Sequence, residues 1–193
     1  LRAIAEAAGL KVHVLTSPHL VRFAERIRIA GELIGEQRLR ELIDTSIAEN
    51  DGGEISFNEI MSAMTLKAFA QTPADLCVIE VGLGGRFDCT NVFDAPAVCI
   101  ITPVDYDHLE MLGPELTKIA WEKAGIIKQG RPVIVARQIE EAFEVIEREA
   151  EGLSAPMLAM GRDIDAWEEN GRMLIQTPDR LLDLPLPGLY GPH

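Results

Sequence analysis

Three short apolar runs constrain this chain's fold more than any other feature: residues 76–81 (LCVIEV), 97–101 (AVCII) and 132–136 (PVIVA). Each has the length of a strand and is too short for a helix. Apart from Glu80 none carries a polar residue at every second position, so each is expected to be covered on both faces. Stretches of helical composition lie between and beside them. Apolar strands alternating with helices define an α/β protein with a mainly parallel sheet. The three runs are expected to be neighbours in a doubly wound layer, where ligands sit at the carboxyl ends of strands.

The helices carry their own signals. Residues 36–50 place Leu39, Leu42, Ile43 and Ile47 toward one face, and Asp51-Gly52-Gly53 stops the run. Ser56 followed three residues later by Glu59 reads as a capping box, opening a helix that runs to about Ala70. Residues 115–124 form a short helix ended by Gly125, and residues 139–151 form another. Residues 11–15 (KVHVL) are expected as a strand, and residues 26–33 as a weaker hairpin arm. Residues 165–167, 173–176 and 180–184 are expected as short antiparallel strands, joined by turns at Glu169-Asn170-Gly171 and Thr177-Pro178-Asp179.

Composition then narrows the partners. The formal net charge is −13 over 193 residues, which argues against a nucleic-acid backbone as partner. No run approaches the length of a membrane span, so no membrane partner is expected. Cys77, Cys89 and Cys99 lack metal-ligand spacing, and a reducing, cytoplasmic setting fits them. From residue 140 to the end there are 12 acidic and 4 basic residues, read as a solvated face.

Polar chemistry gathers where the strands end. Thr16-Ser17-Pro18-His19 follows the first strand, and a hydroxyl there suits magnesium or a phosphate oxygen, or simply caps a turn. Glu80 ends an apolar strand, where a buried carboxylate needs a cation or donor. The loop after it, VGLGGRFDCTN, has glycines that admit close backbone approach, and Arg86, Asp88, Thr90 and Asn91 supply polar groups. His108 follows two aspartates, and histidine with aspartate ligates or orients a divalent ion. Lys123 sits at a helix end, where it neutralises phosphate, pairs with Glu80, carries a modification, or is an ordinary surface lysine. Carboxylates with a hydroxyl point to hard Mg²⁺ and a phosphate site acting by charge neutralisation and positioning. No zinc spacing, GxSxG turn or Walker A motif occurs.

Five stretches, in order, resemble the folylpolyglutamate synthase and bifunctional dihydrofolate synthase family of the Mur ligase superfamily. They are TSPHLVRFAERIRIAG (16–31), SFNE (56–59), IEVGLGGRFDCTNV (79–92), DHLEMLG (107–113) and IAWEKAGIIK (119–128). The resemblance implies a three-layer P-loop NTPase-like central domain with a small antiparallel annex. It implies an ATP-dependent amide ligase that adds L-glutamate to dihydropteroate or a reduced folate through an acyl phosphate. Ser17, Glu80 and His108 match the family's magnesium positions, with Ser17 also at the nucleotide. Glu80, His108 and Lys123 match its catalytic positions, and Lys123 matches the lysine that becomes carbamylated. Asn58, Glu59, Arg86, Asp88 and Thr90 match the region of the pterin-bearing substrate. A cytoplasmic monomer is expected, with ATP and Mg²⁺ as cofactors.

There are departures. The family's glycine-rich P-loop, reading like GTNGKGS, is not in the chain, and the opening residues LRAIAEAAG have no helix start. The chain is therefore expected to be a piece of a longer protein and inactive alone. Residues 1–160 are expected as a central domain shortened at its N-terminus, residues 161–193 as strands completing it, and the C-terminal ligase domain as absent. The tail LPLPGLYGPH resembles the stretch before the family's HQ-containing helix. Asn58 stands where the family commonly has an aromatic residue. The alternatives are a Mur-type ligase of cell-wall peptide precursors and a non-catalytic folate-binding fragment.

Overall fold

A computed structural model of the chain describes residues 1–188. The end of the LPLPGLYGPH tail, residues 189–193, lies outside the described residues. The chain divides into two compact units, Leu1–Val92 and Phe93–His193. In both, mixed parallel and antiparallel strands are flanked by helices.

The first unit opens with α1 (Arg2–Ala7), β1 (Val12–Leu15), a 3₁₀ turn (Phe23–Arg26) and the hairpin β2 (Ile27–Ile29) and β3 (Glu32–Leu33). Helices α2 (Glu36–Asn50) and α3 (Phe57–Ala70) follow, then β4 (Leu76–Ile79). The sheet runs β3-β2-β1-β4, with β1 antiparallel to β2 and parallel to β4. All four β1 residues are buried, as a strand with neighbours on both edges requires. Ile27, Leu42, Met61, Met64 and Phe69 close the core between sheet and helices. His13 on β1 is buried as well: its Nδ1 accepts the Ala30 amide at 3.0 Å and its Nε2 donates to the Thr72 carbonyl at 2.9 Å. Its ring stacks on Phe69 at 4.5 Å, so both nitrogens and one face are used.

The α3 capping box is present. The Ser56 hydroxyl accepts the Glu59 amide at 3.3 Å, and the Glu59 carboxylate accepts the Ser56 amide at 2.7 Å. Helix α2 ends as expected, at Asp51 in the left-handed region (φ 48°). Its apolar face is narrower than expected. Leu42 is buried, whereas Ile47, about 140° round the helix from it, is 56% exposed.

The second unit contains β5 (Cys99–Ile101), α4 (Leu109–Leu112), α5 (Leu116–Ala124), β6 (Val133–Val135), α6 (Glu140–Gly152) and β7 (Met157–Ala159). Strands β5-β6-β7 form a parallel sheet. Val133 and Val135 pack with Ile119, Ala120 and Ala124 of α5 and Ala142, Ile146 and Ala150 of α6. Small residues on both helices let them approach closely. Strands β8 (Asp165–Glu169), β9 (Arg172–Gln176) and β10 (Leu181–Pro185) form the expected antiparallel annex. Asn170 (φ 52°) and Gly171 (φ 75°) make the turn between β8 and β9, both left-handed as a type I′ turn demands.

Two expectations are corrected. Of the three apolar runs, residues 97–101 and 132–136 do pair as β5 and β6, but residues 76–79 pair as β4 with β1 of the first unit. β4 is also half-exposed rather than buried, with Cys77 exposed. It stands at the end of its sheet, paired to β1 alone among the described residues, so one flank is open.

Candidate functional site

Most of the sequence-predicted residues of the first unit converge on one cleft, whereas Glu59 and Arg86 do not line it. Its lining includes Thr16, Ser17, Asn58, Glu80, Gly82, Asp88 and Thr90, together with Arg26, Ser62 and Cys89. Adjacent parallel strands explain the meeting. β1 and β4 run side by side, so the loops at their carboxyl ends, Thr16-Ser17 and Glu80-Val81-Gly82, emerge together.

The link between them is a hydrogen bond. The Ser17 backbone amide donates to Glu80 Oε2 at 2.8 Å, and the Glu80 amide donates to the Leu15 carbonyl at 2.9 Å. Glu80 lies one residue beyond β4 and is exposed. The expected burial is thereby corrected, while the expected need for a cation or a donor is met by the Ser17 amide. Ser17 precedes a cis peptide bond to Pro18.

The glycine loop is knotted by Asp88. Its Oδ2 accepts the Leu83 amide at 2.9 Å, and its Oδ1 accepts the Thr90 amide at 2.9 Å and the Thr90 hydroxyl. A Cβ at Gly82 would lie 3.3 Å from Asp88 Oδ2, close enough that the carboxylate would have to shift by a few tenths of an ångström. Asp88 and Thr90 thus shape the loop with the groups expected to meet a substrate. The Asn91 side-chain Nδ2 donates to the Arg86 carbonyl at 3.0 Å, and Arg86 itself is half-buried in the same loop. Glu59 spends its carboxylate on the helix cap, and that bonding holds it below the ordinary glutamate range, the Ser56 hydroxyl contributing most and the Ser56 amide next.

Sequence reasoning missed a second brace. Arg26 donates through Nε to His19 Nδ1 at 3.0 Å, and its guanidinium lies 5.7 Å from the Phe23 ring centre and 5.8 Å from that of Phe57. Among the described residues it is the one cation lining a cleft that also holds two carboxylates. Glu25 gathers the Leu20, Val21 and Arg22 amides and is held below the ordinary range by them, Leu20 first and Arg22 next. The signal was present in FAERIRI, but only the return of the chain through the 3₁₀ turn gives it meaning.

His108 and Lys123 belong to the second unit. His108 has a left-handed backbone (φ 50°) as the N-cap of α4, and its Nε2 lies 3.6 Å from Asp107 Oδ2. Lys123 is half-buried in the last turn of α5 and makes no ion pair within that unit's described residues. No cluster of three His, Cys, Asp or Glu side chains fit to hold a metal occurs among the described residues. The donor set in the cleft, a serine hydroxyl with a carboxylate, still fits Mg²⁺, which keeps waters and takes few protein ligands. Among the described residues no helix is long and apolar enough to cross a membrane.

Helix-flanked mixed sheets, with polar loops at the carboxyl ends of parallel strands, place the chain in the Mur-ligase-like structural family. Escherichia coli FolC, solved in complex with DHPP and ADP, superposes with a TM-score of 0.85 at 34% identity, covering 96% of this chain and 44% of that one. Within that fold the chain belongs with the folylpolyglutamate synthase and dihydrofolate synthase family, whose members it closely matches. It is 38% identical over 179 residues to mitochondrial folylpolyglutamate synthase of Bos taurus, covering 87% of this chain and 30% of the relative. It is 36% identical over 167 residues to dihydrofolate synthase/folylpolyglutamate synthase of Bacillus subtilis, covering 83% and 39%. The chain therefore spans less than half the length of these relatives. No family model matches it.

Proposed function

We propose that the full-length polypeptide is an ATP-dependent amide ligase that joins L-glutamate to dihydropteroate or a reduced folate. The supporting observation is the Ser17 amide–Glu80 carboxylate link beside the Asp88-knotted loop, in a chain similar to proteins named for that activity. A folate carboxylate oxygen attacks the γ-phosphorus of ATP, ADP leaves, and an acyl phosphate forms. The α-amine of glutamate then attacks the acyl carbon, phosphate leaves, and the amine loses a proton.

The residues divide this labour. The Ser17 hydroxyl and Glu80 would hold Mg²⁺, which would supply charge neutralisation for the transferring phosphoryl group, and His108 is a third candidate ligand on the family resemblance alone. The Ser17 amide fixes the direction of the Glu80 carboxylate, so that one oxygen remains for a ligand. The Asp88 knot fixes the shape of the loop that carries Arg86. Lys123 is the candidate for carbamylation: its amine adds CO₂ with loss of a proton and becomes an anionic orienting group. Residues 1–160 serve as the central domain and residues 161–193 complete it. The protein acts in the cytoplasm as a monomer.

Replacing Glu80 by Gln in the full-length polypeptide tests this reading. Turnover is expected to fall about 100-fold or more, with a higher magnesium requirement. Turnover and magnesium dependence close to those of the parent would overturn the role given to Glu80.

A further inference from the structure

The second unit holds a cavity to which the proposed chemistry assigns no role. It measures about 350 Å³ and is lined by Pro103, Val104 and Asp105 of the loop after β5 and by Arg137, Gln138 and Ile139 of the loop after β6. β5 and β6 are parallel neighbours, so the two loops emerge side by side at the carboxyl ends of their strands, the place where α/β sheets bind ligands. The volume is that of a small-molecule pocket.

Gln138 braces the two walls. Its Oε1 accepts the Val104 amide at 2.8 Å and its Nε2 donates to the Thr102 carbonyl at 2.9 Å. The charged groups keep bonding capacity in reserve. Asp105 Oδ1 accepts the Tyr106 amide at 2.7 Å, and its Oδ2 has no partner among the described residues. Arg137 donates through Nη2 to Asp165 Oδ1 at 2.6 Å, and its Nε and Nη1 have no acceptor among the described residues. The guanidinium has a made place: a Cβ on Gly161 would lie 2.9 Å from Nη1, so the glycine leaves the room it occupies. The rest of the lining, Pro103, Val104 and Ile139, is apolar.

A carboxylate on one wall, a guanidinium on the other and apolar surface beside them match a small zwitterion with a methylene stem. A phosphate or nucleotide would meet Asp105 as a like charge. We propose that this cavity receives the amino-acid substrate: Asp105 takes the α-ammonium group, Arg137 takes a carboxylate in its fork, and Pro103, Val104 and Ile139 cover the methylenes. The inference rests on the ligase reading and adds to it where the accepting amine binds, on the same loop that carries His108.

The test is steady-state ligation by the full-length polypeptide, with L-glutamate varied against saturating ATP, Mg²⁺ and dihydropteroate. Glutarate, which has both carboxylates and no amine, serves as a competing probe. Asp105→Asn keeps the oxygen that accepts the Tyr106 amide and removes the charge. It is expected to raise KM for glutamate about tenfold or more, to spare kcat, and to leave inhibition by glutarate unchanged. Arg137→Lys keeps a cation for Asp165 and loses the fork, so it folds and is expected to weaken glutamate and glutarate alike. KM for dihydropteroate stays at the parent value in both. Parent-like KM for glutamate in both variants, or an equal rise in KM for dihydropteroate, overturns the inference while leaving the ligase reading intact. A parent polypeptide that joins glutamate to neither dihydropteroate nor a reduced folate overturns the ligase reading itself.

Discussion

Glu25 and Glu59 are carboxylates whose ionised form is the one the fold uses. Both are held below the ordinary value of 4.5, Glu25 by the Leu20 amide and then the Arg22 amide, Glu59 by the Ser56 hydroxyl and then the Ser56 amide. The unfolded chain therefore binds more protons than the folded one just below that value. Stability that these groups confer is complete above about pH 4.5 and is lost as pH falls through their lowered values. Glu59→Gln isolates one contribution, since glutamine still serves a capping box but does not titrate. Near pH 7 the variant is expected to melt close to the parent. Its melting temperature is expected to fall less steeply below pH 4.5. An acid limb as steep as the parent's would show that Glu59 does not titrate in this role.

At the scale of elements, turn chemistry decides where strands meet. Asn170 and Gly171 both have positive φ, and Gly171 at φ 75° has no atom within 4 Å of a would-be Cβ. The glycine is thus needed for backbone conformation and not for space. Gly171→Val is expected to cost about 1–2 kcal/mol, read as a lower urea midpoint with an unchanged slope. Stability equal to the parent's would mean that the β8–β9 hairpin is held by its strand pairing alone.

The same scale separates what the sequence could and could not show. The α3 start was legible because a capping box is local: Ser56 and Glu59 satisfy each other within one turn. The β8–β9 turn was legible because Asn-Gly selects its own backbone. The exposure of β4 was not, since LCVI reads alike in the middle and at the end of a sheet. β7 escaped notice because Met157–Ala159 is a run of only three residues, too short to show a period. Arg26 and Ser62 became site residues only through the return of distant chain onto the β1 and β4 loops.

For the whole molecule, each unit carries its own core, around Ile27 and Met64 in one and around Ile119, Val133 and Ile146 in the other. The strongly negative charge, −13, sets a problem for the proposed ligase activity, whose substrates would be anions. Within the described cleft the answer is local: Arg26 lines it, and the Ser17–Glu80 pair suits a divalent cation. The most direct measurement is product analysis by the full-length polypeptide with ATP, Mg²⁺, labelled glutamate and either dihydropteroate or a nucleotide-linked peptide precursor. The account predicts labelled glutamate in amide linkage to the pteroate, one ADP released per bond, and no product from the peptide precursor. ADP-coupled ligation of the peptide precursor, with none on dihydropteroate or reduced folate, would contradict it.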